Sequence, residues 1–228
     1  VTVSNGIYSL SGSTATLVKT SKSSITKLTI PETVSANGKT YKVTAIGIDA
    51  CKGLSKLKTV SFGKNVKTIG EDAFSGCPKL KTVSGGDAVT TIGQSAFMNC
   101  SALTKFTIGK KTTKIGSDAF YGCTKLKTVS GGAALTEIGA SAFQKCTSLT
   151  AFTIGSKMKS IGKNAFNGCS KLKTITIKST KLTASNVGAN AFKNVYKKAK
   201  FVLPKKKVDA YKKILLKKGA PKTATFTK

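Results

Sequence analysis

The dipeptide Ile-Gly occurs at Ile46, Ile69, Ile92, Ile115, Ile138 and Ile161, with a step of 23 residues each time. Three more columns keep that step: Phe74, Phe97, Phe120, Phe143 and Phe166; Cys77, Cys100, Cys123, Cys146 and Cys169; and Leu57, Leu80, Leu103, Leu126, Leu149 and Leu172. A unit this short cannot bury its apolar side alone and must cover it with copies of itself. The expected fold class is a repeat solenoid, a right-handed coil of ~23-residue repeats with parallel β-sheet and short helical turns.

Each column has a local reason. Two residues after the Gly stand Asp49, Asp72, Ser95, Asp118, Ser141, Asn164 and Asn190. Asp, Ser and Asn are preferred helix N-caps, so one capped helical turn per coil is expected at Ala-Phe. Two residues after the Phe come Gly76, Asn99, Gly122, Lys145, Gly168 and Asn194. Gly and Asn tolerate the left-handed conformation that ends a helix, and Lys145 is expected to be strained there. A strand follows, as in Leu57-x-x-Val60-x-Phe62, with Val60 and Phe62 inward and Thr59 and Ser61 outward. A second short strand runs into Ile-Gly, with Val66, Val89, Leu135 and Met158 inward and Thr112 interrupting that column.

The flanks are imperfect coils. Ile25 to Pro31 matches the strand part, followed by Asn37-Gly38, a hairpin signal. Val187-Gly188 with Ala191-Phe192 repeats the pattern after 26 residues, making about seven coils and a sheet about 34 Å long at ~4.8 Å per coil. The expected domains are an N-terminal β cap (1–24) with a hairpin around Ser11-Gly12, the solenoid (25–195), and a C-terminal β/α cap (196–228). In the last, a strand at Phe201 to Leu203 precedes a helix with Val208, Tyr211, Ile214 and Leu215 on one face, stopped by Gly219 and Pro221.

Composition narrows the chemistry. Basic residues outnumber acidic ones 39 to 8, all the basic residues are Lys, and there is no His. That excludes imidazole general bases, Ser-His-Asp triads, imidazole metal ligands and bidentate arginine forks. No apolar run approaches the ~20 residues of a membrane-spanning helix. The start at Val1 suggests a trimmed or mature fragment.

The string Ile-Gly-x-x-Ala-Phe-x-x-Cys-x-x-Leu-x-x-Val/Phe-x-Ile resembles the BspA-like (Treponema-type) leucine-rich repeats. It is read at Ile69 to Phe74, Cys77, Leu80 and Val83, and again from Ile115 to Ile154; Leu28 to Pro31 and Asn37 to Tyr41 are similar to that family's opening coil. The match covers about residues 20–195. The resemblance implies a protein secreted by or attached to the surface of a bacterium, a Gram-positive anaerobe, with a role in adhesion to host proteins or other cells. It implies no catalytic, cofactor-binding or metal residues. The sequence departs from the pattern where Cys51 fills the Phe slot and Leu54 the Cys slot, and where Gly85-Gly86 and Gly131-Gly132 replace the strand's last apolar residue.

Few side chains suggest chemistry. Stacked cysteines lie within disulfide reach, but one per coil with side chains pointing alike reads as a packing column of free thiols; disulfides and a metal site are the alternatives. Asp49, Asp72 and Asp118 are absorbed as caps, and the neighbours Glu71 and Asp72 make a poor acid–base pair. Lys56/Lys58, Lys79/Lys81, Lys125/Lys127 and Lys171/Lys173 flank the Leu column, while other coils carry Ala102/Thr104 and Ser148/Thr150. These are read as rungs in alternate coils, ~9.6 Å apart against a screening length of ~8 Å: a solvated face, or a ladder for wall teichoic acid, acidic mucin glycan or, least of all, nucleic acid. The outward sheet face reads Thr59, Ser61, Thr82, Ser84, Lys105, Thr107, Thr128, Ser130, Ala151, Thr153, Thr174 and Thr176. This flat hydroxyl surface could take glycans or extended protein segments, or satisfy β-propensity alone; Lys105 and Ala151 interrupt any ice-binding ladder.

The expectation is a monomeric, non-catalytic surface module without a cofactor, binding a host or bacterial surface protein through the sheet face. Anchoring on an anionic polymer through the Lys rungs, or a spacer without a ligand, are the alternatives.

Overall fold

Backbone hydrogen bonds run from coil to coil at a nearly constant offset. The N–H of Asp72, Phe74 and Gly76 donate to the carbonyls of Gln94, Ala96 and Met98, and the N–H of Thr90 and Gly93 donate back to Lys67 and Ile69. The computed structural model describes residues 1–228, wound into a β-solenoid of about eight turns. Two-residue strands ending in the Ile column (Thr68–Ile69, Thr91–Ile92, Lys114–Ile115, Glu137–Ile138, Ser160–Ile161) stack in parallel on one side, in register Ile on Ile. Their sheet has ten strands, because the N-terminal hairpins extend it. Gly6–Ser11 and Thr14–Thr20 pair antiparallel, as do Thr33–Ala36 and Lys39–Ile46, whose two-residue loop holds Asn37 and Gly38 at φ 51° and 71°.

The opposite side carries the longer strands and is two sheets. Lys27–Thr29, Thr59–Ser61 and Thr82–Ser84 form one; Lys105–Ile108, Thr128–Gly131, Ala151–Ile154, Thr174–Ile177, Lys200–Val202 and Thr225–Thr227 form the other. The single long sheet expected from the repeat is interrupted at a Gly-Gly coil. Gly85 and Gly86 take φ of 79° and 91°, outside the β region, and the ladder to the next coil stops at Ser84. Gly131-Gly132 acts in the same way: Thr128–Gly131 keeps only Thr128↔Ala151 with the following strand. At the C-terminal end, Lys200–Val202 and Thr225–Thr227 add two parallel rungs after the last repeat.

The capped helical turn is a correction. The only α-helix, α1, is Val208–Lys217. The column from Asp49 to Asn190 takes φ of 51–58°, whereas an N-cap residue lies in the β region. No side chain of the column accepts a backbone N–H. Across each turn alternate N–H groups leave for the next coil, so no helical ladder can close. Asp and Asn suit the column because they tolerate left-handed backbone. The column after the Phe is left-handed too, as expected, and includes Lys145 at φ 61°.

The core is one cluster of 61 buried residues from Tyr8 to Ala220. Phe74, Phe97, Phe120, Phe143, Phe166 and Phe192 stack face to face along it, with ring centroids 5.2–5.6 Å apart and planes within 7°. Phe106 and Phe152 meet those rings edge-on from the strand side, at 4.8 and 4.9 Å. Thr112, the odd residue in its column, is fully buried because its Oγ1 donates to the carbonyl of Val89 at 2.8 Å. In the 26-residue coil, Ser179 Oγ donates to Met158 O, and Tyr211 from α1 donates to Ser179 O while accepting from the N–H of Leu182. The helix thus ties down the extra residues.

The Gly of Ile-Gly is needed for close approach of the chains. A Cβ at Gly116 would lie 2.6 Å from Gln94 N and from Gly93 C. Gly116→Ala should lower stability by about 1–3 kcal/mol, read as a shift of the urea midpoint. Lys145→Gly should raise it by about 1 kcal/mol, because it relieves a left-handed L-residue; an unchanged midpoint would show that the turn is unstrained.

Candidate functional site

The strand side presents the outward column foreseen in the sequence. Thr82, Ser84, Lys105, Thr107, Thr128, Ser130 and Thr153 are exposed, and Thr59, Ser61, Thr174 and Thr176 half-buried. They are held by strands whose alternate residues are pinned in the core (Val60, Phe106, Phe152, Ile175) or packed against it half-buried (Val83, Val129). Few of the hydroxyls satisfy one another: Thr107 and Ser130 lie 3.3 Å apart, and Ser61 donates to Thr29 at 3.3 Å. Their hydrogen-bonding capacity is largely open to a ligand. The face is not one plane, since the break after Ser84 divides it. Beside the break, Lys27, Thr59, Val60, Ser61, Thr82 and Ser84 line an open depression of about 500 Å3. The repeat pattern did not single out Lys27, because it belongs to an imperfect coil.

The Lys rungs border this face. Lys56, Lys58, Lys79, Lys81, Lys125, Lys127, Lys171 and Lys173 are all exposed. Lys56/Lys58 and Lys79/Lys81 stand on consecutive coils, so the expected two-coil spacing holds only from Lys79/Lys81 onward. Where a coil carries Ala102 and Thr104 instead, the missing side chains leave a shallow hollow of about 510 Å3. Lys58, Lys79, Lys81 and Lys125 border it. None of these four has an ion-pair partner. Lys173 differs, lying 5.4 Å over the Tyr196 ring.

All six cysteines are free and buried. Each Sγ of the column donates to a carbonyl 26 residues earlier: Cys77 to Cys51, Cys100 to Phe74, Cys123 to Phe97, Cys146 to Phe120 and Cys169 to Phe143, at 3.1–3.2 Å. Burial pushes the Cys77 thiol up to about 11 and those of Cys123 and Cys169 up to about 12. Such thiols are packing groups and weak donors, far from the thiolate that nucleophilic or metal chemistry needs. Several acids are engaged in surface ion pairs: Lys52 bridges Asp49 and Asp72 on successive coils at 2.9 and 3.2 Å, and Lys114 pairs with Glu137 at 3.1 Å. No three His, Cys, Asp or Glu converge as a metal site, and no helix is long and apolar enough to cross a membrane.

The BspA type leucine-rich-repeat region matches this chain in six copies, over residues 20–150 and 90–217. The chain belongs to that family. Among solved structures, this BspA-type chain is similar to a leucine-rich cell surface protein of Faecalibacterium prausnitzii, with 26% identity over 89% of this chain and 70% of that one and a TM-score of 0.62. It is similar to a leucine-rich-repeat protein of Bacteroides capillosus, 30% identical over 57% of this chain and 96% of that one, with a TM-score of 0.53. The Treponema pallidum leucine-rich-repeat protein shares the fold at 20% identity, covering 97% of both chains with a TM-score of 0.58. No curated protein matches.

The thiol column gives a pH test. Above its ordinary value of 9.0 the unfolded Cys123 releases a proton that the folded, buried thiol keeps up to about 12. That contribution to stability is therefore lost as pH rises through this window. Cys123→Ala should lower stability by about 1 kcal/mol at pH 7 through the lost hydrogen bond. Between pH 8 and pH 10.5 the wild type should lose about 2 kcal/mol relative to the variant, at ~1.4 kcal/mol per unit above the ordinary value. Parallel urea-unfolding profiles for the two chains would mean that the thiol is not held neutral by burial.

Proposed function

We propose that this chain is a non-catalytic binding module of a bacterial surface or secreted protein, and that it grips a protein of a host or neighbouring cell through the Thr/Ser strand face. The observation that carries this reading is the face itself: rigidly spaced exposed hydroxyls, rooted in a continuous core and largely free of hydrogen bonds to one another. Such a surface offers many neutral donors and acceptors at ~4.8 Å intervals, suited to an extended polypeptide or a protein flank. Membership of the family and the likeness to a cell surface protein of Faecalibacterium prausnitzii support the location. Hairpins at one end and α1 at the other cover the core, consistent with a monomer.

A second reading has its own observation: the hollow bordered by Lys58, Lys79, Lys81 and Lys125 fits an acidic glycan or wall polymer. Salt separates the two, because contacts made by point charges weaken steeply with ionic strength and neutral hydrogen bonds do not. Binding should be measured against mucin and extracellular-matrix proteins at low and high salt. The expected result is capture of one protein that survives high salt. Replacing Thr107, Thr128 and Thr153 with Gln should weaken it at least about tenfold, or ~1.4 kcal/mol, without moving the melting midpoint. Capture that vanishes in salt and with Lys58, Lys79 and Lys81 changed to Ala would transfer the role to the hollow.

A further inference from the structure

The acidic residues are distributed unevenly along the axis. Seven of the eight precede Ile138, and every ion pair in the structure lies between Glu32 and Glu137. Residues 193–228, which close the solenoid's C-terminal end, hold 13 lysines and one acid, Asp209. The lysines come from four consecutive segments: Lys193, Lys197, Lys198 and Lys200 before and at the start of the cap strand; Lys205 to Lys207 in a 3-10 turn; Lys212, Lys213 and Lys217 on α1 with Lys218 at its C-cap; and Lys222 and Lys228 in the tail. All are exposed except the half-buried Lys207 and Lys218, and none has an ion-pair partner. Asp209 sits in the first turn of α1, where the helix dipole favours it, and neutralises no lysine at contact distance.

We propose that the C-terminal cap, around the 3-10 turn and α1, is a docking surface for a linear polymer carrying repeated phosphate groups, which suit the point charges of lysine. Self-repulsion of this density is unfavourable within a screening length of ~8 Å, and a polyanion relieves it while releasing its own condensed counterions. The fittings for other partners are missing. Lysine presents point charges without the planar fork that reads bases. The cap's aromatic rings are engaged: Tyr211 is buried, Phe226 stacks on Phe201 at 5.3 Å, and Tyr196 lies beneath Lys173. No ring is free to stack on nucleobases. The apolar face of α1, through Tyr211 and Leu215, is turned into the core, so nothing beside the lysines can insert into a bilayer. The exposed large apolar side chains Val1, Val18 and Ile48 all belong to the N-terminal segment.

The test uses the whole chain, long-chain inorganic polyphosphate and heparin as probes, and binding isotherms across a salt series. A cap variant changes Lys205, Lys206, Lys212, Lys213 and Lys217 to Ala; a charge-matched control changes Lys19, Lys22, Lys39, Lys42 and Lys67 to Ala. All ten are exposed, so both variants should keep the wild-type melting midpoint. The expected result is tight binding at low salt, with the slope of log K against log salt reduced by about 3.5 in the cap variant, at ~0.7 per lost contact, and by less than one in the control. Polyphosphate preferred over heparin supports the proposal; heparin preferred would overturn it in favour of a sulfated glycan. Equal losses in the two variants would reduce the effect to net charge and overturn it. Tighter binding to poly(dT), or to vesicles rich in phosphatidylglycerol at equal phosphate, would overturn it in favour of nucleic acid or membrane.

Discussion

A backbone ladder that joins each coil to the next at an offset of 22 to 24 residues is the constraint on which the rest of this solenoid depends. Once that register is fixed, every residue sits on its own equivalent in the neighbouring coil, and each column must tolerate its own kind at ~4.8 Å. Phenylalanine does so by stacking its rings nearly parallel. Glycine at the Ile-Gly corner does so because the adjacent backbone occupies the space of a Cβ. Buried charge could not, since like charges at that spacing away from water are prohibitively repelled. Every interior column is accordingly neutral, and the fully buried polar intruders Thr112 and Ser179 are fitted by donating to carbonyls of the preceding coil.

The cysteine column follows from the same geometry. The carbonyl of Phe97 already accepts the N–H of Cys100, and the Cys123 thiol takes up its remaining capacity. A thiol fills an apolar slot, as the small hydrophobe it is, and still supplies a weak donor to a buried carbonyl. Alanine would leave the slot underfilled. The pattern connects residue choice directly to packing and leaves the thiols protonated and shielded.

On the outside the repeat is a less strict master. The strand face keeps its Thr/Ser character at most outward positions, yet the Gly85-Gly86 coil cuts the sheet, and a depression lies beside Ser84. The lysine rungs are interrupted at Ala102 and Thr104, and the gap leaves a hollow between them. At the C-terminal end the ladder continues through two non-repeat strands, so the densest positive charge rides on a rigid extension of the solenoid.

The sequence by itself determined the coil, the inward columns, the outward Thr/Ser and Lys positions and the two short hairpins. All of these depend on period, on alternation or on residues such as Asn37-Gly38 that favour one local backbone. Only the tertiary structure decided how the turns at Ala-Phe are built. The residues suited to an N-cap are also suited to left-handed backbone, and the choice was made by hydrogen bonds to a coil 22 residues away. It likewise decided that the sheet breaks after Ser84, that Lys58, Lys79, Lys81 and Lys125 share a hollow, and that Tyr211 reaches Ser179 across 32 residues. The physical reason is common to all four: each depends on which distant groups meet, and a one-dimensional repeat specifies the columns without specifying the gaps between them.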